Sequence, residues 1–79
     1  MRATVLVRPK QGILDPQGAA VVTALDHLGF GVSDARVGKV IDLEVDAADA
    51  DTARAQVEKM CAQLLANPLM ESFEVEIHG

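Results

Sequence analysis

The sequence has no tryptophan, no tyrosine, one cysteine and no long apolar run. With Cys61 alone, an intramolecular disulfide is excluded and a structural zinc site lacks ligands. The longest apolar stretch, Ala19 to Val22, is far short of the ~18 residues that a membrane-crossing helix needs. The first residues do not resemble a signal peptide, because Arg8 and Lys10 interrupt any apolar region. Basic residues are also scarce, seven against twelve acidic ones. The resulting net charge of −5 repels phosphate backbones and anionic membrane surfaces, which argues against nucleic-acid and membrane partners. A soluble, cytoplasmic protein is expected.

At 79 residues the chain is expected to form a single domain, residues 1–79. A chain this size buries only about 60% of the surface that its unfolded form exposes, so its core is marginal alone. Disulfide and metal being excluded, association with copies of itself or with other chains is the expected support. The charge is bipolar. Residues 1–39 carry a net +2 and residues 40–79 a net −7, a pattern that can complement a copy or a partner.

Ala3 to Arg8 alternates, and both of its faces are partly apolar, so it is expected to be a central strand ended by Pro9. After a loop, Asp15 suits a helix N-cap and Pro16 the first helical position. Val21, Ala24, Leu25 and Leu28 then form one apolar stripe, stopped by Gly29 and Gly31. Val32 to Val37 reads as a weak second strand. Ile41, Leu43 and Val45 alternate with Asp42, Glu44 and Asp46 in a stronger third. Gly38-Lys39 between them fits either a tight turn or a bulge.

Asp46, Asp49 and Asp51 favour the start of a second helix, with Ala53, Val57, Met60, Cys61 and Leu64 on its apolar stripe. Its end is expected near Ala66, because Asn67 precedes Pro68. Phe73, Val75 and Ile77 mark a last strand. The expected fold is α+β: a two-layer sandwich in the order β-α-β-β-α-β, an antiparallel sheet with both helices on one face. The other face would carry Asp42, Glu44 and Glu74 beside Leu6 and Val40, a mixed surface suited to packing against a neighbour.

No catalytic constellation emerges. Cys61 lies mid-helix on the apolar stripe, where burial keeps it a neutral thiol. His27 and His78 have no His or Cys at ligand spacing and read as surface residues. A calcium loop begun at Asp46 or Asp49 would need Glu at its twelfth position, where Val57 and Met60 stand. Gly38-Lys39 is followed by Val40 rather than Ser or Thr, and Gly29-Phe30-Gly31 lacks the third glycine of a dinucleotide fingerprint. No catalytic, cofactor or metal residue is assigned. The unusual segment is Pro9-Lys10-Gln11-Gly12-Ile13-Leu14-Asp15-Pro16-Gln17-Gly18, with two apolar residues in a loop. Ile13 and Leu14 either plug the end of the sheet or face a partner.

This segment, with Ala24-Leu25-x-x-Leu28-Gly29-Phe30, Arg36-Val37-Gly38-Lys39 and Cys61-x-x-Leu64-Leu65-Ala66-Asn67-Pro68, resembles the PurS family. PurS chains are small subunits of phosphoribosylformylglycinamidine synthase, and the resemblance runs through nearly the whole chain. Met70-Glu71-Ser72-Phe73 departs mildly from the family pattern. The resemblance implies a PurS-like, ferredoxin-like fold and an accessory subunit of a glutamine- and ATP-dependent carbon-nitrogen ligase of purine biosynthesis. It implies a dimer or tetramer that bridges a glutaminase subunit and a large synthetase subunit and supports ammonia transfer. ATP and magnesium would be used by the synthetase and no cofactor by this chain. Carried over by residue, the leading interface candidates are Pro9, Lys10, Gly12, Asp15, Pro16, Gln17 and Gly18. Arg36, Gly38 and Lys39 follow, then Asn67 and Pro68. Lys10, Arg36 and Lys39 would offer positive charge to acidic partner groups. An ACT-like module, binding an amino acid near the Gly12-Ile13-Leu14 loop, is the alternative of a different class.

Overall fold

Alternation, caps and breakers place the elements of the computed structural model, which describes residues 1–79. Strand β1 spans Arg2–Pro9, helix α1 Pro16–His27, strand β2 Lys39–Glu44, helix α2 Ala50–Met60 and strand β3 Glu71–His78. A π-helical turn, Cys61–Leu65, continues α2. The strands form an antiparallel sheet in the order β2-β1-β3, with β1 central as its two half-apolar faces imply. Val5 stands between Ile41 and Val75, and Leu6 between Val40 and Glu74. The α+β class and the antiparallel sheet agree with the sequence.

The core is small. Ala3, Val5 and Val7 of β1 pack under Ala53 and Val57 of α2 and Cys61 at the start of the π-helical turn, with Val45 and Ala66 closing the ends. These positions are successive inward residues of a strand and an i, i+4, i+8 row of a helix. Asp49 caps α2, its Oδ1 accepting the Thr52 N–H at 2.8 Å. Beyond Cys61 the helix loosens, and the Ala66 N–H donates to the Cys61 carbonyl at 3.1 Å, an i to i+5 bond. The wider turn brings Leu65 and Ala66 to the core and leaves Leu64, expected on the apolar stripe, outside.

Two expectations are corrected. Val32–Val37 is not a strand. Both edges of β1 are already taken by β2 and β3, and the segment's polar groups are satisfied elsewhere: the Val37 N–H donates to Asp15 Oδ2 at 2.8 Å. Gly38-Lys39 is accordingly the entry to β2, neither a hairpin turn nor a bulge. Secondly, only α2 covers the sheet. No side chain of α1 belongs to the core, and much of its stripe is uncovered: Val21 is exposed and Leu28, at the C-cap, is 71% exposed, while Leu25 is half-buried. The chain is consequently elongated, 50 × 25 × 14 Å. Its radius of gyration is 15.8 Å, where a compact chain of this length has about 12 Å.

Gly38 is where the incoming segment crosses β1. A Cβ there would run into the Val7 carbonyl oxygen, a backbone atom that cannot move aside. Gly38→Ala should therefore destabilise the fold by about 1–3 kcal/mol, the usual size of an overpacking penalty. Urea unfolding at fixed chain concentration checks this, and an unchanged midpoint would contradict the close approach.

Candidate interaction surface

Three segments far apart in sequence meet at one end of the sheet. The loop after β1 is held from both sides. On one side the Lys10 N–H donates to the Met70 carbonyl at 2.9 Å, and Lys10 Nζ donates to the Pro68 carbonyl at 2.8 Å. On the other, Arg36 Nη1 donates to the Ile13 carbonyl at 2.8 Å. Gly12 turns the loop between these anchors at φ +81°, a conformation that favours glycine.

Asp15 ties this loop to the segment before β2. Its Oδ1 accepts the Gly18 N–H at 3.0 Å, capping α1, and its Oδ2 accepts the Val37 N–H at 2.8 Å. Bonds from Val37 and Gly18, with a smaller effect of the Arg36 charge, hold its carboxyl below the usual carboxylate value. Gly18 sits flush against the Ala35 carbonyl, leaving no room there for a side chain. Pro16 and Gln17 stand exposed in that turn.

The third segment closes on itself. Asn67 Oδ1 accepts the Leu69 N–H at 3.0 Å, and Glu71 Oε1 accepts the Asn67 N–H at 2.8 Å. Glu71 was not among the residues singled out from sequence. Its place four residues after Asn67, across a proline turn, was the available signal. The twelve sequence candidates thus fall in one connected region, with Lys10 joining the Asn67–Pro68 turn and Asp15 joining Arg36, Gly38 and Lys39. Pro9 pairs with Glu71 at the start of β3, and Lys39 with Val7 at the start of β2. Lys10 and Arg36 use at least one donor each on carbonyls of their own chain.

The rest of the surface is apolar in patches and carries little reactive chemistry. Leu14, Leu28, Phe30 and Leu69 are well exposed around this end and along α1. The open sheet face carries Val40, Asp42 and Glu44 of β2, Thr4 and Leu6 of β1, and Glu74 of β3, the mixed surface expected. Thr4 Oγ1 donates to Asp42 Oδ1 at 2.9 Å and lies 3.2 Å from His78 Nε2. Cys61 is fully buried, and burial pushes its thiol pKa up, away from the thiolate that nucleophilic chemistry requires. No three His, Cys, Asp or Glu side chains converge as metal ligands. No helix is long and apolar enough to cross a membrane.

Residues 2–79 match the family model PurS, phosphoribosylformylglycinamidine (FGAM) synthase. The chain belongs to the PurS family. It is 47% identical over 77 residues to the PurS subunit of phosphoribosylformylglycinamidine synthase of Synechocystis, covering 96% of this chain and 75% of that protein. To the Methanocaldococcus jannaschii PurS subunit it is 35% identical, covering 96% and 93%. Among solved structures, Bacillus subtilis PurS superposes with a TM-score of 0.87 at 37% identity, covering 99% of this chain and 98% of that one. A chain of the PurLQS structure from Thermotoga maritima gives 0.86 at 34% identity, covering 95% and 93%.

The doubly bonded Asp15 carboxylate gives a pH signature. Because its folded pKa is depressed, its stabilisation is present above the unfolded value near 3.9 and is lost as pH falls through the lower folded value. Asp15→Asn should be less stable than wild type at pH 6, and the difference should begin to shrink below about pH 4 and vanish below the depressed folded value. Thermal melts across that range check it. A difference that persists undiminished at pH 2 would show that the charge contributes nothing.

Proposed function

We propose that this chain is the accessory, non-catalytic PurS subunit of phosphoribosylformylglycinamidine synthase in purine biosynthesis, bridging the glutaminase and synthetase subunits as a homo-oligomer. The family match over residues 2–79 supports the subunit assignment. The uncovered apolar stripe of α1 carries the assembly reading. Val21 and Leu28 project from a helix that contributes nothing to its own core, beside an exposed Phe30. A helix so exposed is stable only when its apolar face finds a neighbour. A second copy supplies one neighbour, and the remaining patches around Leu14 and Leu69 are available to partner subunits. The PurLQS structure from T. maritima, which contains a similar chain, supports the reading of this chain as a subunit with partners.

In this reading ATP and magnesium act on the large synthetase subunit and ammonia is released by the glutaminase. The chain works in the cytoplasm and supports ammonia transfer by holding the two in register. The end surface from Pro9 to Gly18, with Arg36 to Lys39 and Asn67-Pro68, is the leading contact region. An ACT-like amino-acid module is not favoured, since the whole chain follows the PurS pattern.

Reconstitution of the glutaminase and synthetase with and without this chain tests the proposal. Glutamine-dependent synthesis should collapse on omission while ammonia-dependent synthesis persists. Unchanged glutamine-dependent activity would defeat the bridging role. A double Val21→Asp, Leu28→Asp variant should sediment as a smaller species than the wild type, with its far-UV spectrum retaining the sheet. Sedimentation identical to wild type would place the self-contact elsewhere.

A further inference from the structure

A second feature of the same end of the molecule can be tested on this chain alone. A half-open hollow of about 300 Å³ lies where the segment before β2 crosses β1, and Arg8, Arg36 and Lys39 line it. Three of the chain's seven basic residues thus surround one hollow, although the chain carries twelve acidic ones and none of these lines it. Leu6 and Val40, paired across the strands, contribute apolar lining.

The donors are only partly used. Arg36 gives Nη1 to the Ile13 carbonyl, which fixes its guanidinium and leaves further N–H groups on the fork. Arg8 meets Glu74 at 3.5 Å, a solvent-exposed pair of small worth. Lys39 makes no ion pair. The Gly38 N–H has no hydrogen-bond partner within the chain. Asp15, on which the Arg36 charge acts, has its two oxygens engaged by the Gly18 and Val37 N–H groups.

We propose that this hollow binds an oxyanion of the phosphate class, carried by a small phosphorylated molecule. Two guanidinium forks, one ammonium and an unpartnered backbone N–H offer more charge and more donors than a single carboxylate can use. A dianionic tetrahedral group presents enough acceptors to engage them together. The size of the hollow lies at the low end for small-molecule pockets, which suits a phosphate group with a short attached body.

The test uses the full-length chain, labelled with nitrogen-15, titrated with inorganic phosphate and separately with ribose 5-phosphate at constant ionic strength. Saturable shifts are expected at the Gly38, Lys39 and Val40 amides, weakening as salt is raised. Tighter binding of ribose 5-phosphate would assign the site to a phosphate monoester, and equal binding to the free anion. Lys39→Glu and Arg8→Glu should each weaken binding about tenfold or more, the usual weight of a charge-assisted contact. Lys59→Glu on α2 should not. Amide spectra that otherwise overlay wild type show that these exposed substitutions leave the fold intact. Shifts that never saturate, that sodium chloride reproduces, or that both hollow variants leave unchanged would overturn the proposal. None of these readouts requires the partner subunits, so failure here and failure of bridging are separable.

Discussion

The carboxylate of Asp15 does two things at once, and the shape of the molecule follows from both. One oxygen caps α1 and so fixes where the helix begins. The other takes the Val37 N–H and so keeps the following segment out of the sheet. With that amide satisfied, Val32–Val37 has less reason to seek a ladder, and β1 has no free edge to offer it. The helix and its return segment stand away from the sheet as one unit, knitted by Gly18 on Ala35 and by Arg36 on Ile13. A neutral or shorter side chain at position 15 would lose one bond or both.

That arrangement leaves one helix to cover three strands. The largest fully buried side chains are valines and a cysteine, and nine of 79 residues are buried, too few for a robust isolated fold. The sequence's marginal core is therefore a structural fact with a location: the missing coverage lies along α1 and on the open face of the sheet. Charge is distributed by the same logic. Lys10, Arg36 and Arg54 each donate to a backbone carbonyl, shaping loops and binding α2 to β3, which leaves Arg8 and Lys39 among the outward-facing cations.

The legible parts of the fold were those written locally. The β1 alternation, the Asp15-Pro16 start, the Asp49 cap, the strand from Ile41 and the buried row of Ala53, Val57 and Cys61 all follow from spacing and caps. What was not legible depended on long-range competition. Whether Val32–Val37 pairs is decided by the occupancy of β1 and by an Asp15 oxygen 22 residues away. The exposure of Leu64 is decided by a π-type turn that no residue pattern announces. Likewise an amphipathic stripe says that α1 must bury a face, and says nothing about whether its own sheet provides the cover. The surface candidates came from the family resemblance. Their convergence at one end of the sheet is a property of the tertiary structure, through Lys10 on Pro68 and Asp15 on Val37.

A connector has requirements that a compact 79-residue globule meets poorly. It must present separate surfaces to separate neighbours, and a small sphere has too little area to do so while keeping a core. Extending to 50 Å gives α1 and the sheet different environments, at the expense of independent stability. Association then restores what the extension removed, so that folding and assembly draw on the same apolar side chains. Cys61, fully buried, belongs to that same small apolar store. In the proposed complex its catalytic value is geometric: where ammonia is made and where it is used are held together by a chain that is itself incomplete alone.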